Sequence, residues 1–468
     1  MISRLDIEER VREWSLREDI VEKDYVIGWL LWGIGSDPLL GETWAFKGGT
    51  CLKKCYIETY RFSEDLDFTV LPGGPIAPSE VEGPLSTVLE RVAEASGIDF
   101  SRRPPALKGH DSGRFTAGRV YYVGPRRTPG IASVKLDLSG SEQVVRPTVM
   151  RAIAHPYPDA LPGPSTARCY CFDEVLAEKI RALGERGRPR DLYDVVNLYR
   201  RQDQESSLDA GEIRAVLVEK CRTKGVPVPT LGSVRTAERL EEVRSEWENM
   251  LRHQLPELPP FQDFWTVLPE LFEWLEGKPV PAGLQVLQVA GPPAEPSWAP
   301  PATVTTWGWP ISLETIRFAA ANRLCVELGY ERSRRIIEPY SLRRSRAGEL
   351  LLYAVRADSG EPRAYRVDRI ESVRATQRTF APRYRVELAA SGGLQVPLVA
   401  TRPRTAPPPR SRRPARSGLV YIIECPYCWK RFRRSSMAKE QLNEHKAPEG
   451  VRCPGSGRRG HLVVTRHR

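Results

Sequence analysis

The sequence predicts an α/β (α+β) chain in three blocks, with a small β-barrel and a cysteine-containing unit behind the first block. Three observations carry this. Residues 1–276 interleave helix-period stretches with short β-type runs. Residues 311–388 hold a short helix and then turn-broken, strand-like runs. Residues 418–468 hold Cys425-Pro-Tyr-Cys428, then His445, then Cys453, a spacing of C-x2-C-x16-H-x7-C. Two proline-rich stretches separate the blocks: 277–310, with GPPAEPSWAPPA, and 389–417, with RPRTAPPPRSRRPARS. Proline lacks a backbone donor and favours extended, solvated chain, so both read as linkers.

Composition bounds the function. The 468 residues are 41% hydrophobic and 28% charged, which suits packed domains and excludes wholesale disorder. No apolar run reaches the length of a membrane span, and MISRLDIEERVREW is charged throughout, so a cytoplasmic protein is expected. Nine cysteines, an odd number, argue against a disulfide framework. Cys51, Cys55, Cys169, Cys171, Cys221 and Cys325 read as core thiols. The net charge of +11 is a property of the tail: residues 389–468 carry seventeen Lys/Arg against four Asp/Glu. Such a tail suits a polyanionic partner, with a merely solubilising tail as the alternative.

In the first block, residues 5–32 are expected to be helical. Strands follow at 65–70, 119–124 and 133–139, then helices at 173–184, 190–201, 236–252 and 261–276. The aromatics Phe264, Trp265, Phe272 and Trp274 read as core of a helical lobe.

The densest chemistry lies in FKGGTCLKKCYIETYRFSEDLDFTV, residues 46–70. On a strand, residues two apart share a face, so Asp65 and Asp67 project together. Converging carboxylates repel unless a cation sits between them, and Mg²⁺ is the natural partner, bound through carboxylates and substrate phosphates. Asp137, in SVKLDLS, completes a three-carboxylate site if its strand lies beside the first. Such a site can hold two metals. Gly48 and Gly49 let backbone amides approach a phosphate, with the Thr50 hydroxyl beside them. Further on, Lys179 is placed to contact a nucleoside triphosphate, with Glu174 also at the helix margin. Asp191 and Asp194 share a helical face, and Asp194 is placed to position a base or hydroxyl. An ordinary helix pair with solvated charges is the alternative.

These residues resemble the AbiEii/AbiGii family of nucleotidyltransferase toxins, which includes the mycobacterial MenT-type toxins. The resemblance covers residues 1–276 and rests on REDIVEKDYVIGWLL, FKGGTCLKK, RFSEDLDF, VKLDLS, EVLAEKIRAL and RPRDLYDVVNL, in the family's order. It implies a polymerase-β-type core with a helical C-terminal lobe. It implies metal ligands Asp65 and Asp67, Asp137 as the third acid, and functional roles for Lys179 and Asp194. It also implies pairing with an antitoxin, and some members transfer nucleotides to tRNA acceptor ends. Thr50 stands where many transferases carry serine.

The runs CVELGY, ELLLYAV and AYRVDRI suggest a small β-barrel over 311–388. Arg363, Arg366 and Arg369 are candidate ligand-binding residues, with salt bridges to Glu361 or Asp368 as the alternative. The block resembles a WYL domain through IIEPYSL, LLLYAV and RAYRVDRI, which implies sensing of nucleic acid or nucleotides in bacterial defence. LLL stands where the Trp-Tyr-Leu signature would be.

In the tail, the C-x2-C knuckle and a helix over 437–445 are expected to hold structural Zn²⁺ on Cys425, Cys428, His445 and Cys453, with His461 and His467 as rival fourth ligands. About 50 residues bury too little surface to fold unaided. Lys430, Arg431, Arg433 and Arg434 interleave with Tyr427, Trp429 and Phe432, a nucleic-acid surface pattern. The tail resembles a C2H2-type finger with a cysteine as last ligand.

The whole reads as a Mg²⁺-dependent toxin that transfers a nucleotide from an NTP to an RNA acceptor. A different class remains open: a nucleic-acid-binding defence regulator with the transferase fold as scaffold.

Overall fold

The computed structural model describes residues 1–57, 60–110, 113–201, 209–278, 284–289, 303–304, 313–345, 347–389, 394–395, 419–434, 441–447 and 450–467. It divides into two compact units, Met1–Thr401 and Arg402–Arg468.

The expected helix over 5–32 is two helices, α1 (Arg4–Trp14) and α2 (Glu18–Gly35). The chain breaks at Ser15, whose φ of 53° ends α1 in a left-handed cap. There follow α3 (Leu40–Thr43), β1 (Trp44–Lys47), α4 (Gly48–Cys51) with a π-helical turn at Leu52–Tyr56, and β2 (Asp65–Val70). Helix α5 (Pro78–Ser96) precedes five strands: β3 (Ala106–His110), β4 (Phe115–Tyr122), β5 (Ala132–Ser139), β6 (Val149–Ala152) and β7 (Thr166–Cys169). Seven strands form one mixed sheet in the order β3-β4-β5-β2-β1-β7-β6. Strand β2 runs parallel to β5 and antiparallel to β1. The alternation of β2 and β5 turns Leu66, Phe68, Val134, Leu136 and Leu138 into the core and leaves Asp65, Asp67, Lys135 and Asp137 on the other face.

The helical lobe comprises α6 (Phe172–Arg186), α7 (Pro189–Tyr199), α8 (Ala210–Lys224), α9 (Leu231–Val234), α10 (Ala237–Leu251), α11 (Gln262–Trp265) and α12 (Leu268–Leu275). The single helix expected at 261–276 is thus two. Its four aromatics are buried: Phe264 stacks on Tyr193 with ring centroids 5.3 Å apart, and Trp274 meets Tyr199 at 5.4 Å.

Most of the two proline-rich stretches lies outside the described residues. The described piece of the first, 284–289, is not free chain. Leu287 is buried, and the carbonyls of Gln285 and Val289 accept from the Arg385 amide and the Tyr353 hydroxyl. A two-residue strand β8 (Thr303–Val304) precedes helix α13 (Leu313–Ala321). Five strands follow: β9 (Leu324–Tyr330), β10 (Ser333–Arg344), β11 (Leu350–Arg356), β12 (Pro362–Arg366) and β13 (Ile370–Thr379). They form a sheet in the order β12-β11-β10-β9-β13, so the expected small barrel does not close. A 3₁₀ turn at Val367–Arg369 hands β12 straight to β13, which pairs with β9 instead, while α13 packs on β13, β9 and β10. This sheet belongs to the first compact unit: Lys53 Nζ lies 3.4 Å from Glu314 Oε1, both buried, and α13 also meets α1. β8 pairs with β14 (Leu394–Gln395).

The second unit is a three-stranded sheet with β15 (Leu419–Glu424) between β16 (Arg431–Arg434) and β17 (His461–His467). Among the described residues its buried core is Ile423, Leu442, Cys425 and Cys453. Residues 435–440 lie outside the described ones. Where described, the segment expected to be helical is not: Gln441 bridges to Arg459, Lys446 to Arg452, and His445 sits on the loop between.

Candidate active site and metal-binding tail

Register brings the acids together. Asp67 pairs directly with Asp137 across β2 and β5, and Asp65, opposite Lys135, lies on the same face. All three line a cleft of about 570 Å³. Burial pushes both Asp65 and Asp67 above the ordinary carboxylate range. On Asp67 the opposing charge of Lys47 is outweighed, with Asp65 and Asp137 adding repulsion, and its pKa rises to about 6. Asp137 Oδ1 is buried without a hydrogen-bond partner, while Lys135 pairs with the same carboxylate. A hard oxygen set that repels itself, with one orphaned oxygen, fits a divalent cation such as Mg²⁺.

The glycines sit where they must. Gly48 has φ +80°, and a Cβ there would come within 2.6 Å of Asp67 Oδ2. A Cβ on Gly49 would meet Arg61 Nη2 at 2.6 Å. Thr50 is placed otherwise than the sequence suggests. It is fully buried, and its hydroxyl donates to the Asp65 carbonyl, tying α4 to β2.

Asp194 also departs from its expected place. It is completely buried and bound by Arg61 through Nε at 2.7 Å and Nη2 at 2.8 Å, by Lys179 Nζ at 2.8 Å and by the Tyr60 hydroxyl. Burial opposes its charge, but Arg61 and Lys179 overcome this and hold its pKa below the usual range. Asp194 therefore positions two cations that line the cleft, Arg61 and Lys179. Asp191 is likewise buried, in a two-point pair with Arg186. Glu174, expected at the helix margin, is buried too; it accepts from the amides of Val145 and Arg146, each at 2.9 Å, and from Lys220 at 2.7 Å.

Sequence reasoning missed most of the cleft's cations, Arg61, Lys47 and Arg190 among them. Arg61 stands four residues before Asp65. Lys47 faces Asp67 across β1 and β2, and Glu178 and Glu142 hold it charged against burial. Arg190 lines the cleft with Nε buried and unpartnered. A run of three basic residues around Pro189 was the available signal.

One expected result follows from Asp194. Replacing it with Asn strands two buried cations, a loss on the order of 3–5 kcal/mol in denaturant titrations. Its folded pKa is depressed, so its stabilisation is full above the unfolded value of about 3.9 and fades as pH falls below it. Wild type should therefore lose stability below pH 4 more steeply than Asp194→Asn.

In the sheet of the second block, each candidate arginine meets an acid. Arg363 pairs with Glu361 at 2.7 Å, Arg366 with Asp368 at 2.7 Å and with Glu349, and Arg369 with Glu331 at 2.8 Å. The salt-bridge reading describes these contacts.

In the tail, Cys425, Cys428, His445 and Cys453 present ligand atoms within 4.8 Å of one another. His445 Nδ1 lies 2.8 Å from the Asn443 carbonyl, and its Nε2 is buried without a partner. That arrangement orients a ligating imidazole. Burial disfavours the Cys425 thiolate, but the amides of Tyr427 and Cys428 bring its pKa down to about 6. A soft, four-membered thiolate–imidazole set fits zinc. The rival His461 stands on β17, outside this group. Trp429 has φ +57° and is 73% exposed; Tyr427 is also exposed. Lys430 and Arg433 are exposed, and Arg431 pairs with Glu424 at 2.7 Å. Arg434 continues β16.

Residues 29–270 match the model of the nucleotidyl transferase AbiEii toxin of type IV toxin–antitoxin systems, and residues 312–375 match the WYL domain. Among solved structures, the nucleotidyltransferase toxin MenT4 from Mycobacterium tuberculosis H37Rv is similar over 59% of this chain and 90% of its own, at 20% identity and TM-score 0.40. Proteasome accessory factor B/C of Arthrobacter aurescens is similar over 40% of this chain and 23% of its own, at 15% identity and TM-score 0.16. No curated protein matches. The AbiEii match spans more than half of the 468 residues, and the chain belongs to the AbiEii family of nucleotidyltransferase toxins.

Proposed function

We propose that the protein transfers a nucleotide from an NTP to an RNA hydroxyl, with tRNA as the acceptor class to test first, as the toxin of a pair with a cognate antitoxin in phage defence. The observation carrying this is the convergence of Asp65, Asp67 and Asp137 on one cleft walled by Arg61, Lys179 and Arg190. Mg²⁺ held by the three acids would supply charge neutralisation at the triphosphate and a template for the attacking and leaving oxygens. Gly48 and Gly49 admit the triphosphate close to the backbone. Arg61 and Lys179, fixed by Asp194, and Arg190, with an unused donor, bind its oxygens. Holding acceptor and triphosphate in line is then the main catalytic contribution. Incubating the full chain with cellular RNA and each labelled NTP tests this. Wild type should label RNA and Asp65→Ala should not. Absence of labelling by wild type with every NTP and Mg²⁺ would refute it.

The tail serves this reading as a zinc-braced nucleic-acid surface on Cys425, Cys428, His445 and Cys453, and the WYL domain, with Arg363, Arg366 and Arg369, as a nucleic-acid or nucleotide sensor. An exposed tryptophan held in the left-handed region is a costly placement that a stacking base would justify. Stacking is worth about 1–3 kcal/mol per base. Trp429→Ala should weaken RNA binding about 5- to 150-fold without changing its salt dependence. Arg433→Ala should instead flatten the salt slope. Both are read by fluorescence anisotropy at several salt concentrations.

A further inference from the structure

The first block contains a second convergence of soft ligands, one that the transferase reading leaves unused. Cys51 ends α4, Cys55 lies in the following π-helical turn, and Cys169 ends β7. More than a hundred residues separate Cys169 from the other two, yet the three Sγ atoms lie within 4.8 Å of one another. All three residues are buried, Cys55 being the most accessible at 7%. Burial alone says little, because cysteine is among the most buried residue types. The informative feature is that three separate positions aim their sulfurs at one point.

Two basic residues lie beside the cluster. Arg151 donates from Nε to the Cys55 carbonyl at 3.2 Å, and its guanidinium lies 4.5 Å from the Tyr56 ring. Lys54 neighbours Cys55 in sequence and is itself buried. A disulfide would use two of the sulfurs and leave the third without a role.

We propose that Cys51, Cys55 and Cys169 form a three-thiolate site for one Cu(I) ion. Thiolate is the ligand class that selects Cu(I). With metal–sulfur bonds of about 2.3 Å, three sulfurs in a plane stand about 4 Å apart, within the observed spread. Zinc in closed sites takes four ligands, and among the described residues the cluster offers three. Loading releases thiol protons and leaves a net negative centre beside Arg151. The bound ion would fasten α4, which carries the Gly48–Gly49 cradle, to β7. The site does not depend on the transferase reading.

The test uses the full chain with Cys428→Ser and Cys453→Ser, so that the tail does not compete. Protein titrated anaerobically with Cu(I) is challenged with bathocuproine disulfonate, and retained copper is counted. One copper per chain should be retained, X-ray absorption should show three sulfur neighbours, and thermal unfolding should shift upward. Cys55→Ala and Cys169→Ala should each lose the copper, while Cys221→Ser keeps it. Copper stripped to zero, copper ligated by nitrogen or oxygen, or equal retention in Cys55→Ala and Cys169→Ala would overturn the site. Should either alanine variant fail to fold, the sulfur count of the parent chain decides.

Discussion

Asp67→Asn is expected to abolish nucleotide transfer and, in the absence of metal, to make the protein more stable. The two effects have one cause. Asp67 faces Asp137 across β2 and β5, lies near Asp65, and sits where any side chain at Gly48 would crowd it. Burial and the neighbouring carboxylates raise its pKa to about 6, against an unfolded value of about 3.9. The folded state thus binds a proton that the unfolded state releases, so stability declines as pH rises from about 4 to about 6 and stays reduced above. Asn removes that penalty, on the order of 1–3 kcal/mol at pH 7.5. The same carboxylate is proposed to hold Mg²⁺, and losing it should slow transfer by about a thousandfold or more, roughly 4 kcal/mol of barrier. Melting curves in EDTA and RNA labelling with Mg²⁺ measure the two halves. Undiminished labelling by folded Asp67→Asn would sink the transferase assignment, and a lowered melting point would sink the electrostatic account. Asp194→Asn, which strands two cations, should move stability in the opposite direction.

That contrast shows what local sequence can and cannot reveal. Asp65, Asp67 and Asp137 were legible because strand alternation is a period of two, and a run such as DLDFTV declares its faces. Asp194 was not, because its partner Arg61 lies 133 residues away and nothing local says that both are buried. The same holds for Cys51, Cys55 and Cys169, whose meeting depends on β1 pairing with β7. Helix α5 had no counterpart in the sequence analysis; Pro78 opens the helix, and Pro84, a residue that disfavours helix interiors, is carried inside it. Strand runs in 311–388 were legible, whereas the open order of their sheet, with α13 packed on β13, β9 and β10, is a packing outcome that no strand pattern records. The meeting of Cys425, Cys428, His445 and Cys453 was legible from spacing. The loop that carries His445 was not, since MAKEQLNEH has good helix formers, whereas its described end bridges through Gln441 to Arg459.

Removing metal from the tail is expected to unfold 419–467 and leave the first unit intact. Among the described residues the buried core of this unit is Ile423, Leu442, Cys425 and Cys453, so half of it is the proposed ligand set. A segment that small cannot offset its chain entropy by burial, whereas zinc on such ligands contributes on the order of 10 kcal/mol at neutral pH. Without the ion, Cys425 and Cys453, 3.7 Å apart, lose the centre that holds them, and β15 loses what fixes it between β16 and β17. The first unit has its own extensive core and uses none of these ligands. Elemental analysis of protein purified without chelators should find one zinc per chain. Chelation should then collapse the Trp429 environment and the amide protection of β15 to β17, while the melting transition of the first unit stays in place. Because the proposed nucleic-acid surface is built on this knuckle, RNA affinity should fall with the zinc, and truncation at Ser417 should lower it equally while sparing nucleotide binding. Protein found free of zinc yet fully protected over 419–467 would overturn the site. RNA affinity unchanged by truncation would assign the eleven Lys/Arg of residues 418–468 to another partner.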